Sequence, residues 1–190
     1  MNNKNWIIKI SLITFVLSLV FNGISNVMIE EMNIIIAVLV LILMIGMGIF
    51  FDMIGMAVAT CDEAPFHAKG AKKIKGAKET VKLIRAKEKV SGICNDVVGD
   101  VFGIVSGTIS ALLAVKVSMV LANINVLYIS LVIGAIVASF TVGGKAIGKK
   151  IAIDKCVNIM GFVGRLVHMV SVGDKNVIEI ENKRKNKKNK

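Results

Sequence analysis

Residues 33–60, NIIIAVLVLILMIGMGIFFDMIGMAVAT, carry a single charged side chain, Asp52. An apolar stretch of that length exceeds the ~20 residues a helix needs to cross the hydrocarbon of a bilayer. It is predicted to span a membrane with a tilt or a break. Three further apolar runs accompany it, at 6–21, 97–122 and 124–142. With 55% hydrophobic residues and a mean hydropathy of +0.73, the chain has more apolar surface than one soluble core of this size can bury. The apolar residues are mostly Ile, Val, Leu, Met and Ala, aromatics being 5%. These features predict an all-α polytopic membrane helix bundle of about four transmembrane helices, and they exclude a soluble enzyme.

The net charge of +11 is concentrated at 69–89 and 174–190. Basic blocks beside apolar runs mark the cytoplasmic side of a membrane better than a nucleic-acid groove. The first connection, FNGISNVMIEEMN, has two acids and no base, the second (61–90) is rich in Lys, and the third is short and nearly neutral. GGKAIGKK follows the fourth run. Positive-inside counting therefore puts both termini and residues 61–90 in the cytoplasm, for a multi-pass protein of the cell membrane. Run 6–21 has a lysine-bearing start like a secretory signal, but no A-x-A-like site follows, which favours a retained helix. Cys61, Cys94 and Cys156 are an odd, scattered set and predict no disulfide framework.

Three regions follow: an N-terminal helix with an external loop (1–32), a membrane domain (33–172) and a basic cytoplasmic tail (173–190). Within the second, 64–90 is expected to be an amphipathic interfacial helix. Thr60 and Glu63 fit a capping box, and Pro65 suits a first turn. Residues 151–172 are a second amphipathic, juxtamembrane candidate, and VIEIE at 177–181 alternates like a short strand. The basic helix and tail are expected to contact anionic lipid headgroups, with no nucleic-acid partner.

Polar residues in the spans converge on one depth. Asp52 lies eight residues before the inner end of its run, roughly 12 Å deep at 1.5 Å per residue. A carboxylate there costs on the order of 3 kcal/mol unless compensated. Asn95, Asp96 and Asp100 open the third run, with Ser106 and Ser110 close by, and Ser130, Thr141 and Ser139 lie on the fourth. Gly48 and Gly55 share a face with Asp52; Gly99, Gly103 and Gly107 make overlapping small-xxx-small steps; Gly134 sits on the fourth run. Such glycines are expected to pack helices closely. Asp52, Asn95, Asp100, Ser106 and Ser139 are the candidate ligands of a hard cation, since carboxylate, amide and hydroxyl oxygens suit Mg²⁺. The competing reading is helix packing with the acids protonated or paired to lysine. Cys61, Asp62, Glu63 and His67 match no standard zinc spacing and read as a capping cluster. Cys156 and His168 are helix-spaced and expected at the interface. No P-loop, GxGxxG or nucleophile–base signature is present, so no enzyme activity and no cofactor are expected.

Residues 33–172 resemble the transmembrane domain of the cyclin-M (CNNM) / CorB–CorC magnesium transporter family. The family's F-F-S-x-x-E-x-A-like element is similar to FFDMIGMAV, with Phe50, Phe51 and Ala57 matching, Asp52 in place of Ser and Gly55 in place of Glu. Its N-x-x-x-N element is similar to NDVVG, with Asn95 matching and Gly99 in the second place. Its G-E-x-x-P-K element is similar to GKAIGK, with Gly144 and Lys149 matching, Lys145 for the acid and Gly148 for the proline. The resemblance is to that family's transmembrane domain alone, without its C-terminal cystathionine-synthase-type (CBS) modules. The resemblance implies a homodimeric membrane domain with a cation site between helices and a cytoplasmic amphipathic belt. The expected function is divalent-cation, above all Mg²⁺, transport-related. The alternative is a non-transporting membrane scaffold or regulatory subunit that binds anionic lipid or a partner protein.

Overall fold

A computed structural model describes residues 3–121 and 124–170, and of residues 3–6, 26, 28, 30 and 31 the backbone alone. The described residues are helical throughout, without a strand. They form α1 (Asn3–Glu31), α2 (Ile34–Thr60), α3 (Ala64–Ala71), α4 (Ala77–Arg85), α5 (Lys87–Gly92), a π-helical segment (Ile93–Gly99), α6 (Asp100–Val120), α7 (Val126–Asp154) and α8 (Cys156–Val170). Four stretches are long and apolar enough to cross a membrane: Ile7–Ser25, Ile34–Thr60, Lys87–Val120 and Val126–Asp154. The molecule is an all-α polytopic membrane helix bundle. The VIEIE stretch and the tail from 173 lie outside the described residues.

α2 is the central element, packed against α6, α7 and the π segment, while α1 lies on α6. One apolar core joins Ile29, Ala37 and Leu41 to Val101, Val105, Ile109 and Leu113. A second, at the C-terminal end of α2, gathers Ile54, Ala57, Val58, Cys61, Phe66, Ile84, Ala152 and Met160. Outward-facing apolar side chains such as Ile35, Leu39, Leu43, Leu131 and Phe140 remain exposed, as a lipid-facing surface requires.

The boundaries of α2 agree with the apolar run, whereas other expectations need correction. The segment expected as an external loop after residue 21 is the last part of α1. Asn22 is accommodated there: its amide donates to Ser18 O, and its carbonyl oxygen accepts from Thr108 Oγ1 at 2.8 Å. The basic segment 64–90 is not one helix. It breaks between α3 and α4, where Lys73 and Gly76 take positive φ (57° and 85°), and again at Ala86. The capping box is absent, because Thr60 belongs to α2 and donates back to Met56 O, while Glu63 bonds Arg85. Pro65 does occupy the first turn of α3. α7 continues to Asp154, well past the expected end at 142, so GGKAIGKK is helix and not loop. Its glycines let α7 lie on Ile49: a Cβ on Gly148 would be 3.2 Å from Ile49 Cγ2, and one on Gly144 would overlap the Ile49 side chain.

Candidate functional site

The half of the bundle toward the C-terminal end of α2 brings α2, the π segment and α7 together around Asp52. Asp52 is 4% exposed, and its Oδ2 has no hydrogen-bond partner. The nearest opposite charge is Lys149 Nζ on the extended part of α7, 3.7 Å from Oδ2. That distance gives Coulomb attraction without a hydrogen bond. Across the interface, Gly99 faces Asp52: a Cβ there would lie 3.7 Å from Asp52 Oδ1 and 3.8 Å from Gly48 O. Gly48 in turn leaves room for Phe102, whose Cβ would be 3.3 Å from a Cβ on Gly48. Phe102 stacks on Phe51 at 6.0 Å and meets Phe21 at 5.7 Å, which closes the side of the site toward α1.

Asn95 is held by the π segment one turn nearer the C-terminal end of α2. Its side chain fills the space that Gly55 leaves open, where any Cβ would overlap the amide. Nδ2 donates weakly to Ser91 Oγ at 3.5 Å, and Oδ1 is buried with no partner. Asp52 Oδ2 and Asn95 Oδ1 are the two such buried atoms among the described residues. Buried acceptors without donors are costly, at about 1–3 kcal/mol each, so native structures hold few of them. A π turn inserts a residue into the helical register, and such turns occur frequently at functional sites. Here it carries Asn95 and Asp96 and ends against Asp100.

The remaining predicted residues separate from this pair. Asp100 is exposed and paired with Lys145 Nζ at 3.5 Å. Ser106 is buried, but its hydroxyl donates to Phe102 O and Gly103 O within its own helix. Ser139 lies exposed on α7. Among the glycines, Gly48, Gly55 and Gly99 stand at close contacts, while Gly103, Gly107 and Gly134 have open space where a Cβ would be. Within the chain these three do not bring backbones together, which leaves a contact across a dimer as the other form of that expectation. Gly103, Gly107 and Gly134 instead line a cavity of about 410 Å³ between α6 and α7, with Ser110, Ser130 and Thr141.

Lys145 and Lys149 look like loop charges in the sequence, and the full length of α7 makes them partners of the acids. Ser91, beside Asn95, carries no sequence signal of its own. Cys61 turns into the second core, and burial, helped by Cys156 beside it, pushes its thiol up to about 12. Glu63 is held below its ordinary value by the hydrogen bond from Arg85 and then by His67. Among the described residues no three His, Cys, Asp or Glu side chains gather to hold a metal.

The site therefore belongs to a membrane helix bundle with a buried carboxylate and a buried amide where α2 packs on a π-helical turn. Comparison of the chain with protein-family models, with curated proteins and with solved structures finds no match.

Proposed function

We propose that this chain is a divalent-cation transport-related membrane protein, with Mg²⁺ the ion its oxygens suit best. The observation that carries this reading is the pair of buried, partnerless oxygens, Asp52 Oδ2 and Asn95 Oδ1, at one interface of α2 with the π segment. A hard cation that keeps several waters needs few protein oxygens, and these are of the right kind. Lys149 is a tethered cation beside Asp52. In this reading its ammonium balances the acid when no metal is bound, and an arriving cation displaces it. The partial resemblance to the magnesium transporter family adds support, because Asn95 and Lys149 are among the matched positions. Where that family has an acid, this chain has Lys145, and Asp100 supplies the opposite charge. Ser106 and Ser139 receive no part in the site. Both termini and the α3–α4 region are assigned to the cytoplasm on loop charge, and labelling a cysteine placed at position 75 from outside intact cells contradicts that assignment.

One observation favours the alternative, a non-transporting scaffold or regulatory subunit: Asp52 and Asp100 already face lysines, so the charges balance without an ion. Thermal unfolding of the detergent-purified protein separates the two readings. A ligand that binds the folded form alone raises its stability by mass action. Millimolar Mg²⁺ is expected to raise the Tm of the wild type. Asp52→Asn and Asn95→Ala lose the shift, Asp100→Asn keeps most of it, and Asp174→Asn keeps it all. If the wild type gives no shift, the cation reading fails and the scaffold takes its place.

A further inference from the structure

A second concavity opens where α3, α4 and α8 meet, away from the acid–lysine cluster. It holds about 120 Å³ and is lined by Lys69, Ile74, Lys75, Gly76, Thr80 and Arg165 among others. Its shape is fixed by two glycines set back to back. A Cβ on Gly76 would lie 2.6 Å from Arg165 N, and one on Gly164 would lie 2.6 Å from Gly76 O and overlap the Thr80 hydroxyl. The Thr80 hydroxyl bridges the elements, reaching Gly76 O at 2.9 Å and Met160 O at 3.2 Å. Gly76 needs its φ of 85° for this turn, a conformation that other residues adopt at a cost.

Three separate elements thus contribute basic residues to the lining of one small space: Lys69 from α3, Lys75 from the turn and Arg165 from α8. None of the three is ion-paired among the described residues; Lys69 lies 5.0 Å over the Phe66 ring. Two acids of this region are already engaged, Glu79 with His168 Nδ1 at 3.0 Å and Glu63 with Arg85 at 2.9 Å. Three like charges around one concavity repel unless an anion joins them. Beside it runs an exposed apolar stripe of α8, Phe162, Leu166 and Met169, spaced i, i+4, i+7. A charged recess next to an apolar stripe at the end of membrane-spanning helices is suited to a molecule with a phosphate head and an acyl tail.

We propose that this recess binds the phosphate of an anionic phospholipid, with Arg165 able to give two parallel N–H donors and Lys69 and Lys75 acting as point charges. The acyl chains lie along Phe162, Leu166 and Met169. This site narrows the general lipid contact expected of the basic segment to three named cations, and it stands whether or not the Asp52 site binds metal. Full-length protein in detergent, titrated with phosphatidic acid or phosphatidylcholine and read by native mass spectrometry, tests it. The wild type is expected to retain phosphatidic acid over phosphatidylcholine. Each charge removed weakens retention roughly fivefold, so Lys75→Gln with Arg165→Gln weakens it about 25-fold. Both side chains are exposed, and folding of the variant is checked by its unchanged elution volume. The tail variant Lys183→Gln/Arg184→Gln/Lys185→Gln keeps the preference. Retention that survives the recess variant, or is lost in the tail variant instead, overturns the proposal. Binding of inorganic phosphate at the recess with no preference for the lipid overturns the lipid source and assigns the recess to a soluble phosphate compound.

Discussion

Two glycine-bearing faces of α6 and its preceding π segment look alike in sequence and behave differently in the fold. Gly99 lies against Gly48 and Asp52, where helices α2 and α6 pack closely. Gly103 and Gly107, one and two turns on, face Gly134 and Ser130 across a cavity. The difference lies in what is opposite. Gly48 and Gly55 meet large side chains, Phe102 and Asn95, so small and large interdigitate at normal packing density. Where small residues face small ones across α6 and α7, the backbones stay too far apart to fill the space. A small-xxx-small pattern therefore permits close approach without causing it.

The largest expected effect comes from filling the packed face. Gly55→Leu has no room beside the Asn95 amide and is expected to cost about 3 kcal/mol or more, read as loss of a monodisperse species in detergent. A well-folded Gly55→Leu protein would show that the Asn95 side chain swings out of this interface at little cost. Next comes the charge pair. Lys149→Ala leaves Asp52 buried without its counter-charge, which is expected to lower stability by up to about 3 kcal/mol in the absence of metal. The same substitution removes the competitor of a bound cation, so millimolar Mg²⁺ is expected to give it a larger Tm shift than the wild type. A smaller shift would make Lys149 a structural partner alone.

Gly103→Leu, on the open face, is expected to change stability by less than about 1 kcal/mol, since its side chain enters free space. If it instead disrupts association in detergent, the cavity is closed by a second copy and the two faces are alike after all. The smallest effect concerns the belt. Glu79 is held below its ordinary value of 4.5 by the hydrogen bond from His168. A lowered carboxyl pKa stabilises the fold above the unfolded value, and that stability is lost as pH falls through the folded value. Glu79→Gln is expected to flatten the acid side of the pH–stability profile, with a change of about 0.5 kcal/mol at neutral pH for a pair still partly open to solvent.

The legible parts of the fold were those decided by hydrophobicity. α2 could be bounded within a residue because one apolar run began after Asn33 and ended at Thr60. Asp52 and Asn95 were legible as site candidates because polar groups inside a span need compensation. What compensates them was not legible. GGKAIGKK reads as loop, yet Gly144 and Gly148 let α7 run on over Ile49 and carry Lys145 and Lys149 to the acids. The π segment has no periodic signature in ICNDVVG, because the register change is set by packing against α2. The belt broke at Gly76 for a tertiary reason, its contact with Gly164, nearly ninety positions away in sequence.

The central claim is that the Asp52–Asn95 pair handles a divalent cation. Its most direct test is Mg²⁺ flux in proteoliposomes loaded with a Mg²⁺-sensitive dye, comparing the wild type with Asp52→Asn and with the tail variant Asp174→Asn. The account predicts flux above protein-free vesicles for the wild type and Asp174→Asn, and flux at the protein-free level for Asp52→Asn. Equal flux in all three, or none above background in the wild type, would contradict it.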